Sequence, residues 1–222
     1  MRLKTAVVFF TLSLVCVISR VSFADSLTLS GVGGQNTDGV YVDPYLFTIT
    51  GPGGTDTLVD MSCLNFDREV SIGQSWNADP ISVASITPAS TIDSESGTDI
   101  IADAYLYNQY AAAVGNAQLT SDIQFAIWSI MDPTGVAGES GFDTVASNLA
   151  SAALAAVPTL PASTFANDVL FVPTNYTVGS EPQLFMTNPP PPAITPEPTS
   201  LVLLGTGLLG AVGFMRRKRA QV

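Results

Sequence analysis

The sequence contains no histidine. That removes Ser-His-Asp and Cys-His nucleophile schemes and takes from any zinc site its commonest ligand. Cysteine is almost absent as well, with two in 222 residues, Cys16 and Cys63. Positive charge is missing from the body of the chain. Arg2, Lys4 and Arg20 lie near the start and Arg216, Arg217, Lys218 and Arg219 at the end, which leaves Arg68 alone among all nineteen acidic residues, Asp25 to Glu197. Phosphate binding needs a basic patch, so a nucleic-acid partner is excluded. An acidic, lysine-free body suits solubility, repels anionic polymers and can attract divalent cations. Calcium at acidic loops such as GGQNTDG, from Gly33, stays open, although the spacing matches no EF-hand loop.

The two ends carry the missing charge for a reason. The first residues place Arg2 and Lys4 before an apolar run from Ala6 to Ile18, followed by small residues at Ser22 and Ala24. That is the pattern of a secretory signal peptide over 1–24, too short and wrongly flanked for a spanning helix. Cys16 would leave with it, so Cys63 is the only cysteine of the exported chain. At the other end Pro196, Glu197 and Pro198 precede an apolar, glycine-broken stretch from Leu201 to Met215, closed at once by Arg216, Arg217, Lys218 and Arg219. The basic cluster is expected to stay cytoplasmic while the body lies outside. Fewer apolar residues than the roughly 20 of a full span make a weak anchor. These three parts, in this order, resemble the PEP-CTERM sorting tail of Gram-negative exported proteins. The resemblance implies processing by an exosortase, transient inner-membrane anchoring through 199–215, and delivery to the cell surface or an exopolysaccharide matrix.

Between the ends, 25–188 is long enough for one domain with its own core. Residues 189–198, with Pro189 to Pro192 in a row, read as an extended spacer, and 199–222 as a transmembrane sorting tail. Strand signals dominate the first half: SLTLS from Ser26, GVYVDPYLFTIT from Gly39, DTLVDMSCLNF from Asp56 and ISVASIT from Ile81, with Gly-Pro-Gly-Gly at Gly51 as a turn. Helical spacing follows. Ile100, Ala104, Tyr107 and Ala111 mark one helix stopping at Gly115, a second is expected from Ser121 to about Asp132, and FDTVASNLASAALAAV makes a third. VLFV, NYTV and PQLFMT return to strand character. The expected fold is α+β, a β-rich antiparallel domain with a few packed helices, plus the C-terminal transmembrane sorting helix.

Gln124 stands out in TSDIQFAIWSIMDP. With Ser121 as N-cap it would occupy the third helical position, where a capping-box glutamine reaches back to the cap amide. Against this, Gln124, Trp128 and Met131 form a helical stripe with Ile123 and Ile127 beside it, and an amide buried there costs about 1–3 kcal/mol unless paired. Cys63, flanked by Met61, Leu64 and Phe66, has no cysteine partner; an odd exported cysteine is an intermolecular disulfide, a buried thiol or a reactive centre. A cysteine in an early strand, then AYLYNQY (Ala104 to Tyr110), then QFAIW (Gln124 to Trp128), resembles the thioester domains of bacterial surface adhesins. The resemblance spans roughly 40–133. It implies that the Cys63 thiol condenses with the Gln124 carboxamide, releasing ammonia and leaving a thioester open to surface or matrix amines, with Trp128 covering the pocket. The sequence departs from that family at Ser62, where an aromatic residue usually precedes the cysteine. The exported region has no lysine that could consume such a group.

Two further classes remain. Asp93, Glu95 and Asp99 form the densest acidic cluster and could serve a carboxylate-based glycan hydrolase, although a solvated loop leading into a helix explains them equally, and the chain is expected not to be an enzyme. A passive exopolysaccharide-matrix module with an inert Cys63 is the other. No cofactor or metal ligand set is expected.

The tail is expected to be cut, so mature surface protein should yield no peptides from 207–216 by mass spectrometry; recovering them in quantity would show an uncut anchor.

Overall fold

A computed structural model describes residues 24–188, apart from 38, 43, 52–53, 114 and 178–179. The leader, the proline-rich spacer and the sorting tail, with Pro196, Glu197, Pro198 and Arg216 to Arg219, lie outside the described residues, as does the expected transmembrane helix. Among the described residues no helix is long and apolar enough to cross a membrane.

Six antiparallel strands close into a barrel. They are β1 (Asp25–Val32), β4 (Tyr45–Thr50), β5 (Asp56–Cys63), β6 (Ser75–Ser82), β9 (Val169–Thr174) and β10 (Phe185–Thr187), in the order β1-β4-β5-β10-β9-β6. Between them lie two small hairpins, β2 (Asn36–Thr37) with β3 (Val40–Tyr41) and β7 (Thr91–Ile92) with β8 (Glu95–Ser96). Alternation drives the barrel. In β4, Tyr45 and Phe47 are buried while Leu46 between them is exposed, the period-2 pattern of a sheet with one covered face. Phe47 meets Phe185 at 4.5 Å and Trp76 at 5.6 Å, and Tyr45 meets Phe185 at 5.5 Å, all edge-on. Rings so placed add about 0.5–1.5 kcal/mol per pair beyond their buried area. At its C-terminal end β5 changes character, because Met61, Ser62 and Cys63 are all buried. Both faces of the strand are covered there.

Three mutually packed helices supply that cover: α1 (Gly97–Ala113), α2 (Ala117–Met131) and α3 (Thr144–Ala156). Each starts on a polar side chain. Ser96 Oγ accepts the Asp99 N–H and donates to the Asp99 carboxylate, Asn116 Oδ1 accepts from Leu119, and Asp143 Oδ1 accepts from Val145 and Ala146. Ile127 and Trp128 are buried and Tyr107 is half-buried, as apolar stripes facing a sheet require. Antiparallel strands with three packed helices agree with the α+β reading.

Several boundaries differ from the sequence expectation, and GVYVDPYLFTIT divides into β3 and β4. Helix α2 begins four residues before Ser121, capped by Asn116 after Gly115 at φ +92°. Ser121 is an interior residue whose hydroxyl donates to Thr37, so the capping-box role for Gln124 falls away. The fourth strand is SWNADPIS, with Val83–Ser85 a 3-10 turn; Pro80 hides it in the sequence, since proline normally argues against a paired strand. Asp79 and Ile81 nonetheless hold register with Val172 and Leu170 on either side. Strand β9 ends at Thr174, before NYTV, where Asn175 turns the chain at φ +57°.

Gly141 presses on the helices: a Cβ there would lie 2.1 Å from the Phe125 ring, which itself stands edge-on to Trp128 at 5.2 Å. Gly141→Ala is expected to cost about 1–3 kcal/mol in urea unfolding, since well-packed interiors resist added volume, and to change Trp128 fluorescence in the folded protein.

Candidate functional site

Gln124 lies on α2 where the helix crosses the end of β5, and it is fully buried. Its carboxamide spans two strand residues. Nε2 donates to the Cys63 carbonyl at 2.7 Å, and Oε1 accepts from the Ser62 hydroxyl at 2.9 Å. The polar amide in an apolar run is therefore paired across the helix–barrel junction.

Cys63 is the last residue of β5, fully buried, and a free thiol in this structure. Its Sγ donates to the Asn65 carbonyl at 3.1 Å and accepts from the Trp128 indole N–H at 3.4 Å. Trp128 sits one helical turn beyond Gln124, so α2 contacts both the strand backbone and the sulfur. Burial pushes the thiol up to about 12, with the charges of Asp103 and Asp67 adding to it and the Trp128 hydrogen bond opposing it. Phe66 and Phe125 flank Trp128, each at 5.2 Å, and close the sulfur in. The arrangement is a dry thiol beside a dry carboxamide, the condition under which an acyl–sulfur bond would survive water.

Two residues passed over in the sequence belong here. Asn65 ties the site to the barrel's closing strand: its Oδ1 accepts the Leu184 N–H, and its carbonyl accepts Gln183 Nε2 as well as the thiol. Asp103, on α1, is fully buried, and neither carboxyl oxygen has a hydrogen-bond partner. Burial, then the nearby charges of Asp99 and Glu95, hold its carboxyl well above the ordinary carboxylate range. A polar residue at a helical position gave no signal, because burial is what makes it unusual.

The acidic cluster is committed elsewhere. Arg68 pairs with Asp93 at 2.5 Å and reaches Glu95 at 4.0 Å, while the Tyr176 hydroxyl donates to the other Asp93 oxygen at 2.7 Å. Asp99 serves the start of α1. In the GGQNTDG loop, Asn36 Oδ1 accepts the Gly39 N–H. Among the described residues no group of three or more His, Cys, Asp or Glu side chains could hold a metal ion.

At the far end of the chain, residues 195–219 match the family model of the PEP-CTERM protein-sorting motif. The chain carries a PEP-CTERM sorting motif. That motif supports an exported protein sorted by an exosortase. Among solved structures the chain is similar to the N-terminal domain of the Streptococcus pyogenes pilus tip adhesin Cpa, at 13% identity, covering 77% of this chain and 95% of that one with a TM-score of 0.38. It is also similar to the N-terminal thioester domain of a surface protein from Clostridium perfringens, at 14% identity, 74% and 98% coverage and a TM-score of 0.39. No curated protein matches.

Asp103 yields a pH signature for this protein. Its folded-state value is raised, so the protonated form favours folding; that contribution is fully present below the ordinary value of 3.8 and is lost as pH rises. Asp103→Asn removes the ionisable group. Its Tm is expected to exceed wild type by roughly 2–4 °C at neutral pH for each kcal/mol relieved, and the gain should shrink on acidification in a calorimetric pH series.

Proposed function

We propose that the exported domain is a cell-surface or extracellular-matrix adhesin in which Cys63 and Gln124 condense to an internal thioester. The observation that carries this reading is the 2.7 Å hydrogen bond from the Gln124 carboxamide to Cys63, which lodges a helix-borne acyl group against the strand that bears the thiol. Formation requires the thiol to turn from the Asn65 carbonyl toward Gln124 Cδ, to the roughly 3–3.5 Å separation of a near-attack geometry. The S–C bond then forms, the C–N bond breaks, and the amide nitrogen leaves as ammonia with the thiol proton. Trp128 and Phe66 would shield the product from hydrolysis. An amine-bearing ligand on a surface or matrix polymer would open it, forming an amide and returning the thiol. The exported body offers no lysine to compete.

A passive matrix module is the second reading, favoured by one observation: the thiol is already hydrogen-bonded to Asn65 and is pushed up to about 12, as suits an inert buried cysteine.

Intact mass separates the two. The thioester reading expects the exported protein to be lighter by one ammonia, to take up methylamine, and to lose that uptake in Cys63→Ala and in Gln124→Ala, the latter keeping a thiol that titrates after unfolding. A wild-type mass with no ammonia missing, and a thiol that titrates fully on unfolding, would leave the passive module standing.

A further inference from the structure

Ser62 departs from the aromatic residue expected before the cysteine of a thioester domain, and here its side chain has a specific partner. It lies opposite Met186 of β10, is 1% exposed, and its hydroxyl meets Gln124 Oε1 at 2.9 Å. Chemistry fixes the direction of that bond. The other end of the carboxamide faces the Cys63 carbonyl, which only accepts, so that end must be the nitrogen. The atom at Ser62 is then the acyl oxygen, which carries no proton, and the hydroxyl must donate.

We infer that Ser62 is the carbonyl-polarising residue of the Cys63–Gln124 reaction, holding Oε1 through thioester formation and again when an amine opens the thioester. The inference rests on the thioester reading above. As Sγ attacks Cδ, the S–C bond forms and the carbonyl π pair moves onto Oε1, the atom that Ser62 already addresses. The C=O bond re-forms as the C–N bond breaks, and Nε2 departs as ammonia with the thiol proton. Oε1 stays in the product, so the hydroxyl keeps its acceptor. When an amine nitrogen attacks, the second oxyanion develops on that same oxygen; the N–C bond forms, the S–C bond breaks, and one amine proton passes to Sγ. A hydrogen bond to a charged oxygen is about twice as strong as one to a neutral carbonyl. Ser62 therefore stabilises both tetrahedral states more than the amide or thioester they connect, which is the requirement for accelerating a step. Its position on a strand buried on both faces means the donor need not reorganise.

The test uses the exported protein with Ser62→Ala and the isosteric pair Ser62→Thr and Ser62→Val. Ammonia loss is followed by intact mass, amine uptake with methylamine, and the thioester carbonyl stretch by infrared spectroscopy. Losing one oxyanion donor is expected to slow ammonia loss and methylamine uptake about 100-fold and to move the carbonyl stretch to higher frequency, with threonine restoring both. Should the alanine variant fail to fold, the threonine and valine variants, alike in shape and different in the hydroxyl, carry the same comparison. Ammonia loss in wild type with equal rates and an unmoved stretch in the hydroxyl-free variants would overturn the role of Ser62 and leave the thioester intact. A wild type that never loses ammonia would overturn both.

Discussion

The structure turns on one buried carboxamide. Gln124 bonds the helical layer to the barrel through a donor on one side and an acceptor on the other, to consecutive residues of β5. Fully desolvated, each of these bonds is costly to break singly, since the orphaned partner keeps the penalty of burial, about 1–3 kcal/mol per group. That cost fixes the rotation of α2 about its axis and, one turn on, the position of the Trp128 indole over Cys63. Asp132 and Pro133 end the helix just beyond, so the segment that defines the site is short and held at both ends.

Electrostatics around this junction run in one direction. Burial raises the Cys63 thiol, the Asp103 carboxyl and the Asp168 carboxyl, the last offset in part by Asn108 at 2.7 Å. The one cation of the described body, Arg68, is held by Asp93 and Glu95 outside the helix–barrel junction. The interior thus favours neutral species, and a bond between a thiol and an amide that expels neutral ammonia creates no net charge there. A thiolate-dependent nucleophile would be poorly served by the same surroundings.

The sequence made the barrel legible where side chains alternate, as in β1 and β4, and made the helices legible where their stripes are unbroken. It failed where a single residue spoke for the wrong element. Pro80 concealed β6, and Ser121 imitated a cap that Asn116 supplies. Cys63 and Gln124 were visible as two local anomalies, an unpaired thiol and an amide among apolar residues, and a family resemblance suggested that they belong together; the structure joins the Gln124 side chain to the Cys63 backbone carbonyl. Ser62 was visible as a departure without a role. Asn65 and Asp103 left no trace, because an asparagine after a strand and an aspartate in a helix are unremarkable until the fold buries them. Tertiary burial, rather than local pattern, carries their meaning.

β10 is the shortest barrel strand, three residues set between β5 and β9, and it is the last element before the chain runs on beyond Asn188. Its Phe185 pairs in register with Cys63, and the Leu184 carbonyl accepts the Leu64 N–H at 2.9 Å. Any mechanical load applied at the C-terminal end of the domain therefore enters at the strand paired with Cys63. Thr187 and Asn188, at the end of that strand, are also hydrogen-bonded to Tyr107 of α1, so a pull on this end is shared at once between the strand beside the thiol and the helical layer.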